Sequence, residues 1–117
     1  MKIQIQGTQL ELTPAIKKFV EEKLAPIAQL ISRLDPNDGA KAVVQIERTT
    51  RHHRQGNVLR AEINLRLPSK LIRAEASDDD IRVAIRAAAE ELVEEIKKYK
   101  EKASEKRRVA RRSKASR

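Results

Sequence analysis

Over residues 2–7 polar and apolar side chains alternate, with Ile3 and Ile5 on one side and Lys2, Gln4 and Gln6 on the other, which predicts a short first strand. The period then changes. Ile16, Phe19, Val20, Leu24, Ile27, Leu30, Ile31 and Leu34 recur every three or four residues, the spacing of one helical face, while Lys17, Lys18, Glu21, Glu22, Lys23 and Arg33 fall mostly on the wet side. Thr13-Pro14 marks the start of this helix, a hydroxyl cap followed by a proline where no N–H is needed. Pro26 cannot donate to the carbonyl of Glu22, so a kink or a break into two shorter helices is predicted between residues 22 and 26. Asp35-Pro36-Asn37-Asp38-Gly39 ends the segment with turn chemistry.

Three strands are predicted next, at 41–49, 57–67 and 70–77. The longest has Leu59, Ala61, Ile63, Leu65 and Leu67 on one face and Arg60, Glu62, Asn64 and Arg66 on the other. Leu67-Pro68-Ser69-Lys70 is a tight reversal that makes the last two strands an antiparallel hairpin. The connection at 50–56 is longer and basic. A final helix is predicted with Ser77 or Asp78 as its cap, Asp79 and Asp80 in its first turn, and an apolar stripe of Ile81, Ala84, Ile85, Ala88, Leu92, Ile96, Tyr99 and Ala103. The stripe fades beyond residue 103, so residues 106–117 are expected to be a disordered basic tail after a domain spanning 1–105. The order β-α-β-β-β-α, with one apolar face per element, implies an α+β fold. Its four-stranded sheet carries both helices on one side, in the manner of a double-stranded-RNA-binding domain.

Composition changes the picture chiefly through charge. The 117 residues are 37% charged and 39% hydrophobic, with a net charge of +9. Residues 1–96 carry fifteen basic and fifteen acidic side chains, whereas residues 97–117 carry eleven basic and two acidic ones, so all the excess lies at one end. Such a concentration repels itself and attracts polyanions. Absence of cysteine removes disulfides, thiolate nucleophiles and cysteine-based zinc sites. No apolar run is long enough for a membrane span and the N-terminus lacks the pattern of a signal peptide, which points to the cytoplasm and away from a membrane partner.

Catalytic chemistry finds no support. Asp78, Asp79 and Asp80 are explained by a helix start and lack calcium-loop spacing. His52 and His53 are adjacent, so in an extended loop they point apart and do not chelate one ion. Three scattered glycines, at 7, 39 and 56, make no phosphate cradle. No enzyme activity, metal, cofactor or small-molecule substrate is therefore expected. Nucleic acid fits better. The two aromatics, Phe19 and Tyr99, lie on core stripes, so a base-stacking platform is missing and binding must run through phosphates and shape. Three cationic patches are available: the loop Arg51, His52, His53 and Arg54; the sheet face with Arg60, Arg66 and Arg73; and the helix end from Lys97 through Lys106, Arg107 and Arg108. On the sheet face, Glu47, Glu62 and Glu75 alternate with the arginines, and cross-strand ion pairs explain that face equally well. Arg82 and Arg86 are like charges four apart, with Asp78, Asp79 and Glu90 as local counter-charges.

Several strings, in order, resemble the short ribosome hibernation promoting factors, also called ribosome-associated translation inhibitors. They are Met1-Lys2-Ile3-Gln4-Ile5-Gln6-Gly7, Leu12-Thr13-Pro14-Ala15-Ile16, Leu67-Pro68-Ser69-Lys70-Leu71-Ile72-Arg73-Ala74-Glu75, Asp80-Ile81 with Ala84-Ile85, and Lys97-Lys98-Tyr99-Lys100-Glu101-Lys102. The resemblance covers roughly residues 1–105. It implies a protein that lies between the head and body of the small ribosomal subunit, on ground used by mRNA and by A- and P-site tRNA, and that silences translation sterically while preserving idle ribosomes. It implies rRNA contacts by Lys97, Lys98, Lys100 and Lys102 on the second helix and by Lys70 and Arg73 on the hairpin. It also implies a monomer off the ribosome, without the dimerisation domain of the family's long forms. The chain departs from the family at Arg82, usually tyrosine, at Arg86, often aspartate, at Pro26, and in its basic end. A generic structured-RNA binder acting in ribosome assembly is the alternative reading.

Overall fold

The computed structural model describes residues 1–50 and 57–115. Along the chain it contains β1 (Lys2–Thr8), α1 (Pro14–Leu30), β2 (Lys41–Thr50), β3 (Asn57–Arg66), β4 (Leu71–Asp78) and α2 (Ile81–Ala115). The four strands form one sheet in the order β1-β2-β3-β4, with β1 parallel to β2 and the other pairs antiparallel. A parallel neighbour needs a long crossover, and α1 supplies it. The predicted β-α-β-β-β-α order and single four-stranded sheet are those observed.

Alternation along the strands divides the sheet into two faces. Ala42, Val44 and Ile46 of β2, Ala61, Ile63 and Leu65 of β3, and Ile72 and Ala74 of β4 join one buried cluster. Val20, Leu24 and Ile27 of α1 and Ala84, Ile85, Ala88, Leu92 and Ile96 of α2 belong to the same cluster, so both helices cover that face. Residues one position out of step, such as Gln45, Arg66, Arg73 and Glu75, are exposed on the other.

Local chemistry sets the ends of each element. Thr13 caps α1 by accepting from the N–H of Ile16 at 3.2 Å, with Pro14 at the first helical position. The helix does not break at Pro26. That residue is exposed, and the core contacts of Leu24 and Ile27 on either side keep the axis on the sheet despite the hydrogen bond lost at Glu22. After α1, Asp35 is the one buried charged residue among those described, and its carboxylate accepts from the N–H groups of Gly39 and Ala40, each at 2.9 Å. Two backbone donors thus hold the turn that aims the chain into β2.

Two expectations are corrected at α2. β4 runs on to Asp78, so the cap is Asp80, whose side chain accepts from the N–H of Arg82 at 2.9 Å; Asp78 in turn accepts from the N–H of Asp80 at 2.9 Å. At the other end α2 is helical to Ala115, where disorder was expected from residue 106. Lysine, arginine, alanine and glutamate, which dominate this stretch, all have high helix propensity, so a helix started on the core propagates without further packing.

One close approach is tight enough to test. A Cβ on Gly7 would lie 2.8 Å from the carbonyl oxygen of Leu10 and 3.0 Å from Cγ of Leu12, whereas one on Gly39 would meet nothing nearer than 3.9 Å. Gly7→Ala is expected to lower stability by about 1–3 kcal/mol through overpacking. Gly39→Ala is expected to leave it unchanged or slightly raised. Urea midpoints of the two variants check this, and equal midpoints would contradict the register described for β1.

Candidate nucleic-acid interface

The open face of the sheet is arranged in rows by strand register. Lys2, Lys41 and Arg66 stand side by side in one row that ends at Leu71. The next row is Gln4, Val43, Asn64 and Arg73, followed by Gln6, Gln45, Glu62 and Glu75. Among the described residues, no carboxylate lies within ion-pair distance of Lys2, Lys41 or Arg66.

Arg60 behaves differently. Its Nη2 donates to Glu62 at 2.5 Å and also to Glu75. Glu62 accepts from the Asn64 amide at 2.9 Å, and Asn64 accepts from Nε of Arg73 at 2.8 Å. The bond from Glu75, with a further contribution from Glu62, holds the Arg60 guanidinium above its ordinary value, against the effect of burial. The Asn64 amide, and after it Arg60, hold the Glu62 carboxylate below its own. Of the three sheet arginines predicted as phosphate ligands, Arg60 is therefore consumed by a cross-strand network, while Arg66 and the outer edge of Arg73 face solvent.

α2 passes over β3 and β4 and brings its lysines to the hairpin. Lys70, Leu71, Ile72 and Arg73 on one side and Glu95, Lys98, Tyr99 and Lys102 on the other line a groove of about 250 Å³. Four cations meet one acid there, and Glu95 is held by Lys98 at 3.4 Å. The Tyr99 hydroxyl lies 3.4 Å from the Ser69 hydroxyl, tying the helix to the reversal. Lys98 and Lys102 are one turn apart, so both point to the hairpin side.

Other expected ligands are distributed elsewhere. The Lys100 ammonium donates to the carbonyl of Leu30 at 2.7 Å, closing the C-terminus of α1, and so lies on the side of α2 away from the groove. Beside it, Arg33, Leu34, Ala103, Ser104 and Arg107 line a second cleft. Arg82 stands 5.4 Å from the centre of the Phe19 ring, at the same distance as Lys23, an arrangement of cations against an aromatic ring. Arg86 borders a cleft with Lys23, Pro26 and Glu90. Lys97, Lys106, Arg107 and Arg108 are exposed on α2. Arg51, His52, His53 and Arg54 lie outside the described residues. Lys2 and Lys41 were not found from the sequence; only the parallel register of β1 and β2 sets them beside Arg66.

A family model described as sigma 54 modulation protein / S30EA ribosomal protein matches residues 3–104. A ribosome hibernation promoting factor of Pseudomonas putida is 28% identical over 102 residues, which are 87% of this chain and 89% of that one. A ribosome hibernation promotion factor of Deinococcus radiodurans is 29% identical over 97 residues, 83% of this chain but 48% of that longer one. The crystal structure of the Protein Y N-terminal domain of Thermus thermophilus superimposes with a TM-score of 0.64 at 33% identity, covering 85% of this chain and 99% of that domain.

The sheet network makes a pH prediction. Glu62 has a depressed folded value, so its contribution is present above the ordinary glutamate pKa of about 4.3 and is lost as pH falls through the folded one. Stability against urea is expected to fall on acidification below about pH 4.3, and less steeply in Glu62→Gln. Parallel acid limbs for the two proteins would show that the carboxylate is not engaged in solution.

Proposed function

The chain belongs to the sigma 54 modulation protein / S30EA ribosomal protein family, a family of ribosome-associated hibernation factors rather than of enzymes, and from this we propose how it acts. It binds the small ribosomal subunit through rRNA phosphates, in the region used by mRNA and by A- and P-site tRNA. It silences translation by occupying that space. No bond is made or broken.

The observation that carries the reading is the meeting of Lys70 and Arg73 with Lys98 and Lys102 around one groove. Two elements more than twenty residues apart in sequence supply cations to one concave surface, and a phosphate ridge is the partner that such a surface fits. The row Lys2, Lys41 and Arg66 extends the positive potential from this end across the open face. Lys97, Arg82 and Arg86 add exposed charge along α2. Base stacking has no part, because Phe19 is half-buried beneath Lys23 and Arg82, and Tyr99 is half-buried with its hydroxyl at Ser69. Readout is by shape and charge.

Added to a cell-free translation reaction, the protein is expected to stop synthesis at a ratio near one per ribosome. Lys98→Ala with Lys102→Ala is expected to reduce the slope of log affinity against log salt by about two and to weaken inhibition about tenfold or more. Arg60→Ala is expected to leave both unchanged, since its guanidinium is spent on Glu62 and Glu75. Binding to ribosomes without inhibition would favour a role in assembly. An undiminished effect from the double variant would put the interface elsewhere.

A further inference from the structure

The last turns of α2 are outside both the core and the family match. Ile96 is buried and Tyr99 and Ala103 are half-buried, but each described residue from Ser104 to Arg112 is exposed. α2 has 35 residues, about 52 Å at 1.5 Å each. The molecule is accordingly 65 Å along its longest axis and 32 Å and 17 Å along the others, the helix end projecting as a rod. The family model stops at residue 104.

Past Glu105, its last acid, the charge on the rod is of one sign, with Lys106, Arg107, Arg108, Arg111, Arg112 and Lys114 following in α2. At 100° per residue Arg107, Arg111, Arg108 and Arg112 fall within an arc of about 140°, and Lys106 stands apart beside Val109 and Ala110, so the five together span about 240° of the circumference. That distribution separates the classes of partner. A membrane surface requires an apolar face to bury, and the rod offers Val109 and small alanines. A second copy would add like charge to like charge. An acidic protein surface engages one side of a helix and would reach the four arginines but leave Lys106 exposed. A groove between two phosphate ridges engages both sides at once.

We propose that residues 105–115 are a second RNA-binding element, a cationic helical arm that enters a cleft flanked by phosphate on two sides, such as a widened major groove or the gap between two RNA helices. A regular A-form major groove is too narrow for a helix about 10 Å across, so the arm selects an interrupted duplex over a continuous one. The arm rests on the ribosomal reading only for the source of the RNA. Most of its charge is remote from the hairpin groove, Lys98 and Arg111 being thirteen residues apart, about 20 Å along the axis, while Lys102 and Lys106, one turn apart, join the two elements. Rigidly joined to the body, the arm converts two modest contacts into one tight one. It is also poised for a counter-ion: Arg107 and Arg111, and Arg108 and Arg111, are like charges at four- and three-residue spacing, which weakens the helix until phosphate neutralises them.

The test uses the full chain with Lys106→Gln, Arg107→Gln, Arg108→Gln and Arg111→Gln together, glutamine being a helix former of similar length. Probes are an RNA hairpin with an internal loop, a continuous RNA duplex, and vesicles of anionic phospholipid. The variant is expected to lose about three to four units of salt slope on the looped hairpin, and to lose them equally whether or not Lys98→Ala is present. The unmodified chain is expected to prefer the looped hairpin over the continuous duplex and to gain amide-exchange protection over residues 105–115 when it binds. An unchanged salt slope, equal affinity for the two RNAs, or loss confined to vesicle binding would each overturn the proposal. Translation inhibition that fails in the unmodified chain while the arm binds the hairpin normally would overturn the ribosomal reading and leave the arm standing.

Discussion

Burial of one helical stripe on two strands governs the rest of this molecule. Ala84, Ile85, Ala88, Leu92 and Ile96 sit in the cluster formed by β2, β3 and β4, and that contact fixes the rotation of α2 about its own axis. Lys98 and Lys102 follow the stripe in the same helix, so their direction is settled by residues that never touch a ligand. Truncating a core residue such as Leu92 costs about 2–5 kcal/mol, a large part of the 5–15 kcal/mol that separates a folded domain from its unfolded chain. The proposed interface is therefore a product of the core, and a fault in the stripe would disperse the groove as well as loosen the fold.

The second constraint is the way acids are used. Within the body, Glu62 and Glu75 hold Arg60, Glu95 reaches Lys98, and Asp35, Asp78 and Asp80 accept from backbone N–H groups. Glu91 accepts from the N–H of Glu75 at 3.3 Å, covering part of the free edge of β4, where an open row of donors would invite another strand. These carboxylates serve the fold, and their charge is neutralised inside it. Cations exceed acids at one end of the molecule: Lys2, Lys41 and Arg66 on the sheet, Lys70, Arg73, Lys98 and Lys102 against Glu95 at the hairpin, and the basic end of α2 beyond. A neutral body with a cationic end would meet the proposed RNA partner in one preferred orientation.

Much of this was legible in the sequence because period and turn chemistry are local. The alternation over β3, the Thr13-Pro14 start and the Leu67 to Lys70 reversal each act within a few residues, and each appears as read. The errors share a cause in context. Of the kink or break expected at Pro26 the break does not occur, since the burial of Leu24 and Ile27 on either side outweighs one missing hydrogen bond. Asp80 rather than Ser77 or Asp78 is the cap, because pairing with β3 draws Asp78 as well into β4. Disorder was expected past residue 105 for want of an apolar stripe, yet propensity carries the helix on. At the candidate interface, charge was visible but partnership was not. Ion pairing of the sheet arginines with Glu62 and Glu75 is one of the two readings the sequence offers, and Arg60 bears it out. But the chain alone does not tell that Arg60 rather than Arg66 takes those acids, that Lys100 turns to the end of α1, or that Lys2 and Lys41 join Arg66, for these depend on register between distant strands and on the azimuth of a helix.

Chemical footprinting of the small subunit's rRNA with the protein bound tests the central claim most directly. The account predicts protection of backbone riboses that line the mRNA path and the A- and P-site tRNA positions, at a stoichiometry of one protein per subunit, with tRNA and the protein excluding one another. Protection confined to the outer surface of the subunit, or tRNA and protein bound together without interference, would contradict it.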